Sequence, residues 1–324
     1  MPVYNVENYI EKAVLSVLKQ TYANFELLII NDGTKDNSIQ RIEKYASDSR
    51  LKIFHKENGG LSDARNFGLE RAQGDYVYFM DSDDFIESDL LALCIDKIEK
   101  ENVPVVVFGY FLDTEDKSGN LISSESIIHE SEVINIENKN TTVTNNTIGL
   151  LGYAWNKFYA IDFLKQHNFK FEKGVSLVED ILFNAPVFSS VNSIHFINKP
   201  LYHYANRPTT TLIKTFHANS FDLYLKKNEC LKKFFNKWEI NHSNELLANS
   251  LLLGIRYCAN NLFAFKNNLT ENQKYNHLKT MIVHSETQRL IPFYKPNSKL
   301  DSVYKTIISQ KRALLLYLIL KIIK

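Results

Sequence analysis

Two carboxylates separated by one residue follow an apolar stretch in the first third of the chain. Residues 75–80, Asp-Tyr-Val-Tyr-Phe-Met, have the composition of a buried strand, and Asp81, Ser82 and Asp83 come directly after it. Because side chains alternate along an extended chain, Asp81 and Asp83 can face one point. Oxygen ligands at that spacing suit Mg²⁺ or Mn²⁺, which would neutralise the charge of a diphosphate. Solvated turns also contain Asp-x-Asp, so the tripeptide alone is a weak signal.

A second acidic pair stands farther along the chain. Glu179 and Asp180 precede the apolar residues 181–183, which places both carboxylates at the predicted start of a helix. The helix dipole stabilises negative charge at that position. The pair can therefore be a structural cap, or it can supply a charged group to a site.

The elements that must position these carboxylates alternate in type. Apolar stretches at 25–30, 51–55, 75–80 and 103–110 predict strands, and helical periodicity predicts helices at 9–20 and 63–72 and after residues 34 and 88. Predicted helix caps are Asn8 with Glu11, Ser62 and Ser88. This alternation indicates an α/β fold, a mostly parallel sheet flanked by helices, in which ligands bind outside the carboxyl ends of the strands. Asp32 and residues 81–84 stand at such ends.

The rest of the chain changes in character. Residues 135–146 are rich in Asn and Thr, which favours exposed turns, and long helical patterns such as 221–235 and 246–265 follow residue 217. The pattern places a boundary near residue 215. The last residues, 311–324, are apolar and basic but too short to span a bilayer. They fit either a helix docked on its own core or one that lies on an anionic membrane surface.

Composition excludes several classes of protein. The 324 residues carry 38 Lys and Arg against 37 Asp and Glu, and this balance argues against nucleic acid as a partner. The hydrophobic content of 44% is that of a globular protein. Three widely spaced cysteines, Cys94, Cys230 and Cys258, form no metal-binding or disulfide pattern. The beginning of the chain has no signal-peptide pattern, so we expect a cytoplasmic protein, with the tail as a peripheral contact on the inner face of the cell membrane.

Four segments, read in order, resemble the core of glycosyltransferase family 2, which has the GT-A fold. They are Pro2-Val3-Tyr4-Asn5, Asn31-Asp32-Gly33-Thr34, the stretch from Asn58-Gly59-Gly60 through Ala64-Arg65-Asn66-Phe67-Gly68, and the acidic cluster at 81–84. The resemblance is to bacterial enzymes that build capsular, exopolysaccharide, lipopolysaccharide or teichoic-acid glycans. It implies a GT-A catalytic domain at 1–215, with a nucleotide-sugar half at about 1–110 and an acceptor half at about 111–215. A helical region at 216–324 lies beyond it.

The resemblance also implies roles for individual residues. Pro2, Tyr4 and Asn5 would line the nucleotide base, and Asp32 would accept a hydrogen bond from uracil or ribose, with a turn cap as the alternative. The remaining implied nucleotide-sugar ligands are Asn58, Arg65, Asp81, Ser82 and Arg207. Asp83 would be the principal metal ligand, assisted by Asp81 and His203. On the acceptor side the resemblance implies Trp155, Lys157 and Glu179, and it makes Asp180 the catalytic base.

The implied reaction is an inverting transfer that depends on Mn²⁺ or Mg²⁺. It moves a sugar from a UDP-sugar or another nucleotide-sugar to a hydroxyl of a lipid-linked or polymeric glycan. Two alternatives remain open, a non-catalytic sugar-nucleotide-binding protein and a sugar nucleotidyltransferase. The latter would need a Gly-rich phosphate loop that residues 2–9 do not contain. Family members have an apolar strand just before Pro-x-Tyr, so we expect the reading frame to extend upstream of Met1.

Overall fold

The computed structural model describes residues 1–138, 143–208 and 215–323. The chain divides into two compact units, Met1–Thr209 and Thr210–Lys324. We describe each unit by itself.

The first unit begins with a small parallel sheet. In the described residues it contains β1 (Pro2–Val3), β2 (Leu27–Asp32) and β3 (Leu51–Lys56), in that order. The connecting helices are α1 (Ile10–Leu18), α2 (Ser38–Ile42) with a 3₁₀ turn at Glu43–Tyr45, and α3 (Leu61–Leu69). All three strands therefore end on the same edge, where Asp32 closes β2.

A larger mixed sheet follows in the same unit. Its strands in the described residues are β4 (Tyr76–Tyr78), β5 (Phe85–Ile86), β6 (Val105–Glu115), β7 (Leu121–Ile127), β8 (Val133–Asn135), β9 (Lys157–Ala160) and β10 (Ser193–Asn206). The order is β4-β9-β6-β10-β5, with β7 paired to β6 and β8 to β10. The long central pair, β6 and β10, is parallel, and the other neighbours are antiparallel. The associated helices are α4 (Leu90–Glu101), α5 (Asn145–Leu151), α6 (Ile161–Gln166) and α7 (Glu179–Ser189).

The apolar spacing of the sequence explains the core of this unit. The buried face of α1 packs in one cluster with α4 and with strand residues that include Ile29, Val106 and Phe108. Each fully buried aliphatic or aromatic side chain of this kind contributes about 1.5–3 kcal/mol relative to exposure. The α/β fold with helix-flanked sheets is thus confirmed, although more strands pair antiparallel than the alternation of elements indicated.

The predicted helix caps are wrong. No side chain caps the amino end of α1, and Glu11 instead accepts a hydrogen bond from the Tyr45 hydroxyl at 2.7 Å. The amino-terminal caps of α3 and α4 are Gly60 and Asp89 rather than Ser62 and Ser88. Tertiary contacts, described below for Ser62, outweigh the local capping preference.

The second unit is helical, as the sequence indicated. Its helices are α8 (Ser220–Lys237), α9 (Ser243–Ala264), α10 (Glu271–Val283), α11 (Ser285–Leu290), α12 (Lys299–Ser309) and α13 (Ala313–Ile323), with a 3₁₀ turn at Ile291–Phe293. One face of α13 is buried in this unit, and the Tyr317 hydroxyl donates to Glu271 of α10 at 2.7 Å. The opposite face exposes Leu314, Leu318 and Ile322. In the described residues no helix combines the length and the apolar character needed to cross a membrane.

Candidate active site

A buried arginine links the two acidic segments of the first unit. The guanidinium of Arg65 donates through one nitrogen to Asp180 Oδ1 at 2.5 Å and through the other to Asp81 Oδ1 at 2.8 Å. Burial opposes the charge, but Asp180 and Asp81 together raise the pKa of Arg65. Burial raises the pKa of Asp81 despite the opposing effect of Arg65. The first turn of α7 and the segment that follows β4 are therefore joined by one side chain.

Helix α3 holds Arg65 in this position. One residue along, the Asn66 side chain donates to the Phe171 carbonyl at 2.8 Å and accepts from the Phe171 amide at 2.9 Å. Ser62 Oγ donates to the Val175 carbonyl at 3.3 Å. These contacts fix the segment that leads into α7 against α3, so Arg65 and Asp180 are positioned by the same interface.

The backbone immediately before the acidic pair is strained. Val178 precedes α7 with φ 61° and ψ 13°, a left-handed conformation that β-branched residues rarely adopt. Strain of this kind costs about 1–3 kcal/mol and is often found at functional sites. The turn directs Glu179 and Asp180 into the first turn of the helix, where its dipole stabilises their charge.

The two carboxylates of the pair have different surroundings. Asp180 Oδ2 accepts the Ala154 amide at 2.8 Å, so both of its oxygens are engaged. Each oxygen keeps a second lone pair that can accept a proton. Among the described residues, no side chain hydrogen-bonds to the carboxylate of Glu179. Burial and then the charge of Asp180 raise the pKa of Glu179 to about 7.

Asp83 and Arg207 form the other end of the site. Asp83 is 45% exposed, and its Oδ2 lies 3.8 Å from a terminal nitrogen of Arg207. Arg207 donates through Nε to Glu115 at 2.8 Å and covers the ring of Tyr9 at 4.0 Å. The guanidinium is therefore held beside the most exposed carboxylate of the cluster, a position that suits an anionic ligand.

The remaining members of the acidic cluster are buried. Asp84 accepts from the Tyr202 hydroxyl at 2.6 Å and from the Ala205 amide at 2.9 Å, and it thereby fastens the end of β10 to the cluster. Ser82, which stands between Asp81 and Asp83 in the sequence, is also buried. Asp84 is thus a structural member of a cluster whose outward-facing member is Asp83.

His203 is more strongly engaged than the resemblance implied. Its Nδ1 lies 2.8 Å from Asp113 and its Nε2 lies 2.9 Å from Glu87, so both ring nitrogens contact carboxylates. Phe85 and Phe111 stack on its ring with centroid distances of 4.0 and 4.6 Å. His203 therefore ties β10 to β6 and to the residue that follows β5, and a role as metal ligand would require one of these carboxylate contacts to break.

Asp32 holds a glycine loop. Its Oδ1 accepts from Lys56 Nζ at 2.5 Å and from the Gly59 amide at 2.9 Å, and its Oδ2 accepts from the Gly60 amide at 2.8 Å. Gly60 has φ 84°, which a side chain would disfavour. The Asn58 side chain donates to the Asp32 carbonyl at 2.9 Å. Asp32 therefore caps the turn at Gly59 and Gly60, as the alternative interpretation of this residue expected.

The turn at Pro2–Asn5 is anchored to the loop after β2. Thr34 Oγ1 accepts the Asn5 amide at 2.8 Å, and Asn5 itself has φ 54°. Pro2 is half-buried, whereas the Tyr4 side chain is 45% exposed. An exposed aromatic ring on a fixed turn is available to stack on a planar ligand.

Trp155 and Lys157 do not present their side chains to a ligand. Trp155 is 3% exposed and lies in an aromatic stack with Tyr153 at 4.6 Å and Tyr202 at 4.4 Å between ring centroids. Lys157 is fully buried, and its Nζ donates to the carbonyls of Leu150 and Tyr153 and to Asn156 Oδ1. Burial lowers the pKa of Lys157 well below its ordinary value. Direct acceptor contact by these two side chains is not supported, because neither reaches solvent.

Two residues beside the site were not singled out from the sequence. Lys56 neutralises both Asp32 and Asp63, at 2.5 and 2.7 Å. Tyr153 is 36% exposed in a stretch whose next four residues are buried. The position of Tyr153, two residues before Trp155, could have indicated a site residue. The sequence does not reveal which of these two aromatic rings faces solvent.

The outer carboxylates fit a hard cation that also binds phosphate oxygens. In the described residues no group of three or more His, Cys, Asp and Glu side chains is placed to hold an ion. Asp83 is exposed, and one oxygen of Asp81 is not used by Arg65. Two carboxylates that leave the remaining positions to water and phosphate are the usual arrangement for Mg²⁺.

The sequence and the fold both have known relatives. The family profile described as glycosyl transferase family 2 matches residues 1–164. The uncharacterized glycosyltransferase EpsJ of Bacillus subtilis is 28% identical over 74% of this chain and 69% of its own length. The putative glycosyltransferase EpsH of the same organism is 26% identical over 95% of both chains. The crystal structure of S. aureus TarS 1–349 in complex with UDP-GlcNAc matches 98% of this chain and 88% of that chain with a TM-score of 0.71 and 24% identity.

These findings agree with the architecture around Arg65. The profile covers half of the chain, including the acidic cluster, α3 and the glycine loop. The likeness to TarS shows that the fold is shared over nearly the whole chain. The chain is therefore a bacterial glycosyltransferase with a GT-A fold and belongs to glycosyl transferase family 2.

Proposed function

We propose that the protein transfers a sugar from a nucleotide-sugar, a UDP-sugar in the first instance, to a hydroxyl of a cell-surface glycan with inversion at the anomeric carbon. The observation that carries this proposal is the bridge from Arg65 to Asp81 and Asp180. It joins a strand-end carboxylate, where the donor would bind, to a carboxylate that can accept a proton. A non-catalytic binding protein would not need the second of these groups.

The donor would lie across the carboxyl ends of the strands. Pro2, Tyr4 and Asn5 would contact the base, with the Asn58 loop nearby, and Asp81 would contact the ribose. Arg207 would bind the diphosphate, because its guanidinium already lies beside the exposed Asp83. The TarS structure that shares this fold is a complex with UDP-GlcNAc, and this supports a UDP-sugar as the donor.

Asp83 and Asp81 would hold a Mn²⁺ or Mg²⁺ ion. When bound, the ion would supply positive charge to the leaving diphosphate. The other groups at this end, Arg207 and Arg65, orient the donor and fix the carboxylates. Asp81 keeps its contact with Arg65, and through it with Asp180.

The transfer step needs a base on the acceptor side. Asp180 would take the proton from the acceptor hydroxyl while the hydroxyl oxygen forms a bond to the anomeric carbon of the donor. The bond between that carbon and the diphosphate breaks in the same step. Arg65 and the Ala154 amide hold Asp180 in place for this step. Glu179 would accept a hydrogen bond from a neighbouring hydroxyl of the acceptor sugar and so orient that sugar. Its raised pKa makes Glu179 the second candidate for the base.

The acceptor is proposed to be lipid-linked or polymeric, and the tail supports a place at the membrane. The face of α13 that exposes Leu314, Leu318 and Ile322 is flanked by Lys311, Arg312 and Lys321. An apolar face with basic neighbours is typical of helices that lie on anionic lipid surfaces. The buried face shows that α13 is also docked on its own unit, so the two interpretations of the tail are compatible.

A donor screen followed by a turnover assay tests the proposal. A UDP-sugar that binds the native fold raises the melting temperature by mass action, and we expect the rise to require Mn²⁺ or Mg²⁺. Release of UDP from that sugar should then fall steeply in Asp180→Asn. Asp162→Asn is the matched control, because Asp162 is an exposed carboxylate in the first turn of α6. Equal UDP release by both variants, or no shift with any nucleotide-sugar, would contradict the proposed function.

A further inference from the structure

The segment between α5 and β9 carries an exposed aromatic ring next to the acidic pair. Tyr153 immediately precedes Ala154, whose amide is bonded to Asp180. Consecutive Cα atoms are about 3.8 Å apart, so the backbone of Tyr153 lies next to a residue that contacts Asp180. Burial raises the pKa of the Tyr153 phenol, and the charge of Asp180 adds to the rise. This agrees with a ring close to that carboxylate.

The Tyr153 ring is fixed on one side and open on the other. Trp155 stacks on it with a centroid distance of 4.6 Å and an interplanar angle of 20°. Tyr110 meets it edge to face at 5.8 Å between ring centroids. Tyr153 is nevertheless 36% exposed, so part of the residue remains in contact with solvent although Trp155 covers one ring face.

The backbone of Tyr153 is held as firmly as its ring. Its carbonyl accepts from Lys157 Nζ and from Asn184 Nδ2, the latter at 2.9 Å. Asn184 is itself fixed by the Tyr159 hydroxyl at 2.7 Å. All three donors in this network are fully buried. A ring that is exposed but immobile loses little conformational entropy when a ligand stacks on it.

We propose that Tyr153 is the platform on which the acceptor pyranose stacks while its hydroxyl faces the acidic pair. The inference rests on the proposed function, because that function places the acceptor at Glu179 and Asp180. The C–H groups of a pyranose face carry partial positive charge and pack favourably on the negative face of an aromatic ring. The Tyr153 hydroxyl can in addition bond to a sugar hydroxyl. Trp155, which the resemblance implied on the acceptor side, packs against the opposite face of the Tyr153 ring.

Binding of simple glycosides tests the platform without knowledge of the natural acceptor. Methyl glycosides of glucose, galactose, mannose and N-acetylglucosamine serve as probes in saturation-transfer NMR, with UDP and Mn²⁺ present. The variants are Tyr153→Phe, which keeps the ring, and Tyr153→Leu, which removes it. Phe293→Leu is the control, because Phe293 is an exposed aromatic residue of the helical unit. UDP affinity is measured for each protein by titration.

We expect at least one glycoside to bind the wild type, Tyr153→Phe and Phe293→Leu with similar affinity. Its affinity should fall about tenfold in Tyr153→Leu, the change that corresponds to loss of one aromatic contact. UDP affinity should be equal in all four proteins. Unchanged glycoside affinity in Tyr153→Leu, or no glycoside bound by a wild type that binds UDP, would overturn the platform. A fall in UDP affinity in Tyr153→Leu would also overturn it, since the ring would then serve the donor. Failure of the wild type to bind UDP would instead refute the proposed function.

Discussion

The acidic pair at the start of α7 combines two carboxylates that differ in environment. Asp180 is fixed by Arg65 and the Ala154 amide, whereas Glu179 has no side-chain partner among the described residues. Asp180 thus has a fixed position, whereas Glu179 has a raised pKa. The two can therefore be distinguished by substitution and by pH.

We predict that Asp180→Asn lowers UDP release at every pH by about 10²–10⁴-fold, the usual cost of losing a general base. Glu179→Gln should be milder and should lose a pH dependence, staying near the activity of the wild type at low pH, because Gln resembles protonated Glu. Because the pKa of Glu179 is raised to about 7, it is protonated below that pH, and wild-type activity should rise with pH through this range. The measurement is UDP release from pH 5.5 to 9, alongside donor titrations. If Glu179→Gln is inactive and Asp180→Asn is active, the two roles must be exchanged.

A neighbouring pair of aspartates offers a second contrast at the residue scale. We predict that Asp83→Ala abolishes Mn²⁺-dependent binding of a UDP-sugar with little change in the melting temperature, because Asp83 is exposed. Asp84→Ala should instead destabilise the fold by about 1–3 kcal/mol, because it leaves the buried Tyr202 hydroxyl and Ala205 amide without an acceptor. Thermal melts and donor titrations of both variants check this. Loss of stability in Asp83→Ala with intact donor binding would rule out its assignment as a metal ligand.

At the scale of elements, the turn before α7 determines where the acidic pair lies. The left-handed conformation of Val178 is maintained by the contacts of α3 with the segment at 171–175. Helix α7 therefore begins at a position set by tertiary contacts rather than by local preference.

We predict that Val178→Gly leaves the free energy of unfolding unchanged or raises it by up to about 1 kcal/mol. Relief of left-handed strain, about 1–3 kcal/mol, would offset the entropy and packing lost with the side chain. Val103→Gly is the control, since Val103 is also half-buried but has ordinary backbone angles, and it should be clearly destabilising. Chemical denaturation measures both. A Val178→Gly variant as destabilised as the control would show that the turn stores no strain.

The elements also show what the sequence could and could not predict. Apolar periodicity placed β2, β3 and the helices α1, α3, α8 and α9 within a few residues, because burial of one face determines these patterns. It could not show that Trp155 and Lys157 are buried, since tryptophan occurs both in cores and in sites and a fully buried lysine is rare. The bridge through Arg65 joins positions 115 residues apart and depends on tertiary packing. The motif indicated Arg65 as a site residue, but not its partner Asp180.

At the scale of the whole molecule, the exposed face of α13 is the feature that bears on location. We predict that Leu314→Ser with Leu318→Ser weakens salt-sensitive binding to vesicles of anionic phospholipid and leaves UDP release unchanged. Both side chains are exposed, so the docked face of the helix and its bond from Tyr317 to Glu271 are preserved. Vesicle sedimentation at two salt concentrations provides the measurement.

Leu316→Ser is the control for that experiment, because Leu316 lies on the buried face of the same helix. It should lower the melting temperature of the protein, as removal of a buried leucine generally does. If the wild type and the exposed-face double variant bind vesicles equally, the exposed face of α13 makes no membrane contact.

The bridge through Arg65 also has a consequence for how such an enzyme diversifies. One guanidinium contacts both Asp81 and Asp180, so the separation of these two carboxylates cannot change without loss of one contact. Lysine would not reproduce it, because a single ammonium nitrogen would have to replace the two separate guanidinium nitrogens that contact Asp180 and Asp81. If Asp81 and Asp180 serve the donor and the acceptor as proposed, new sugar preferences would arise in the side chains around them, while the separation of the two carboxylates stays fixed.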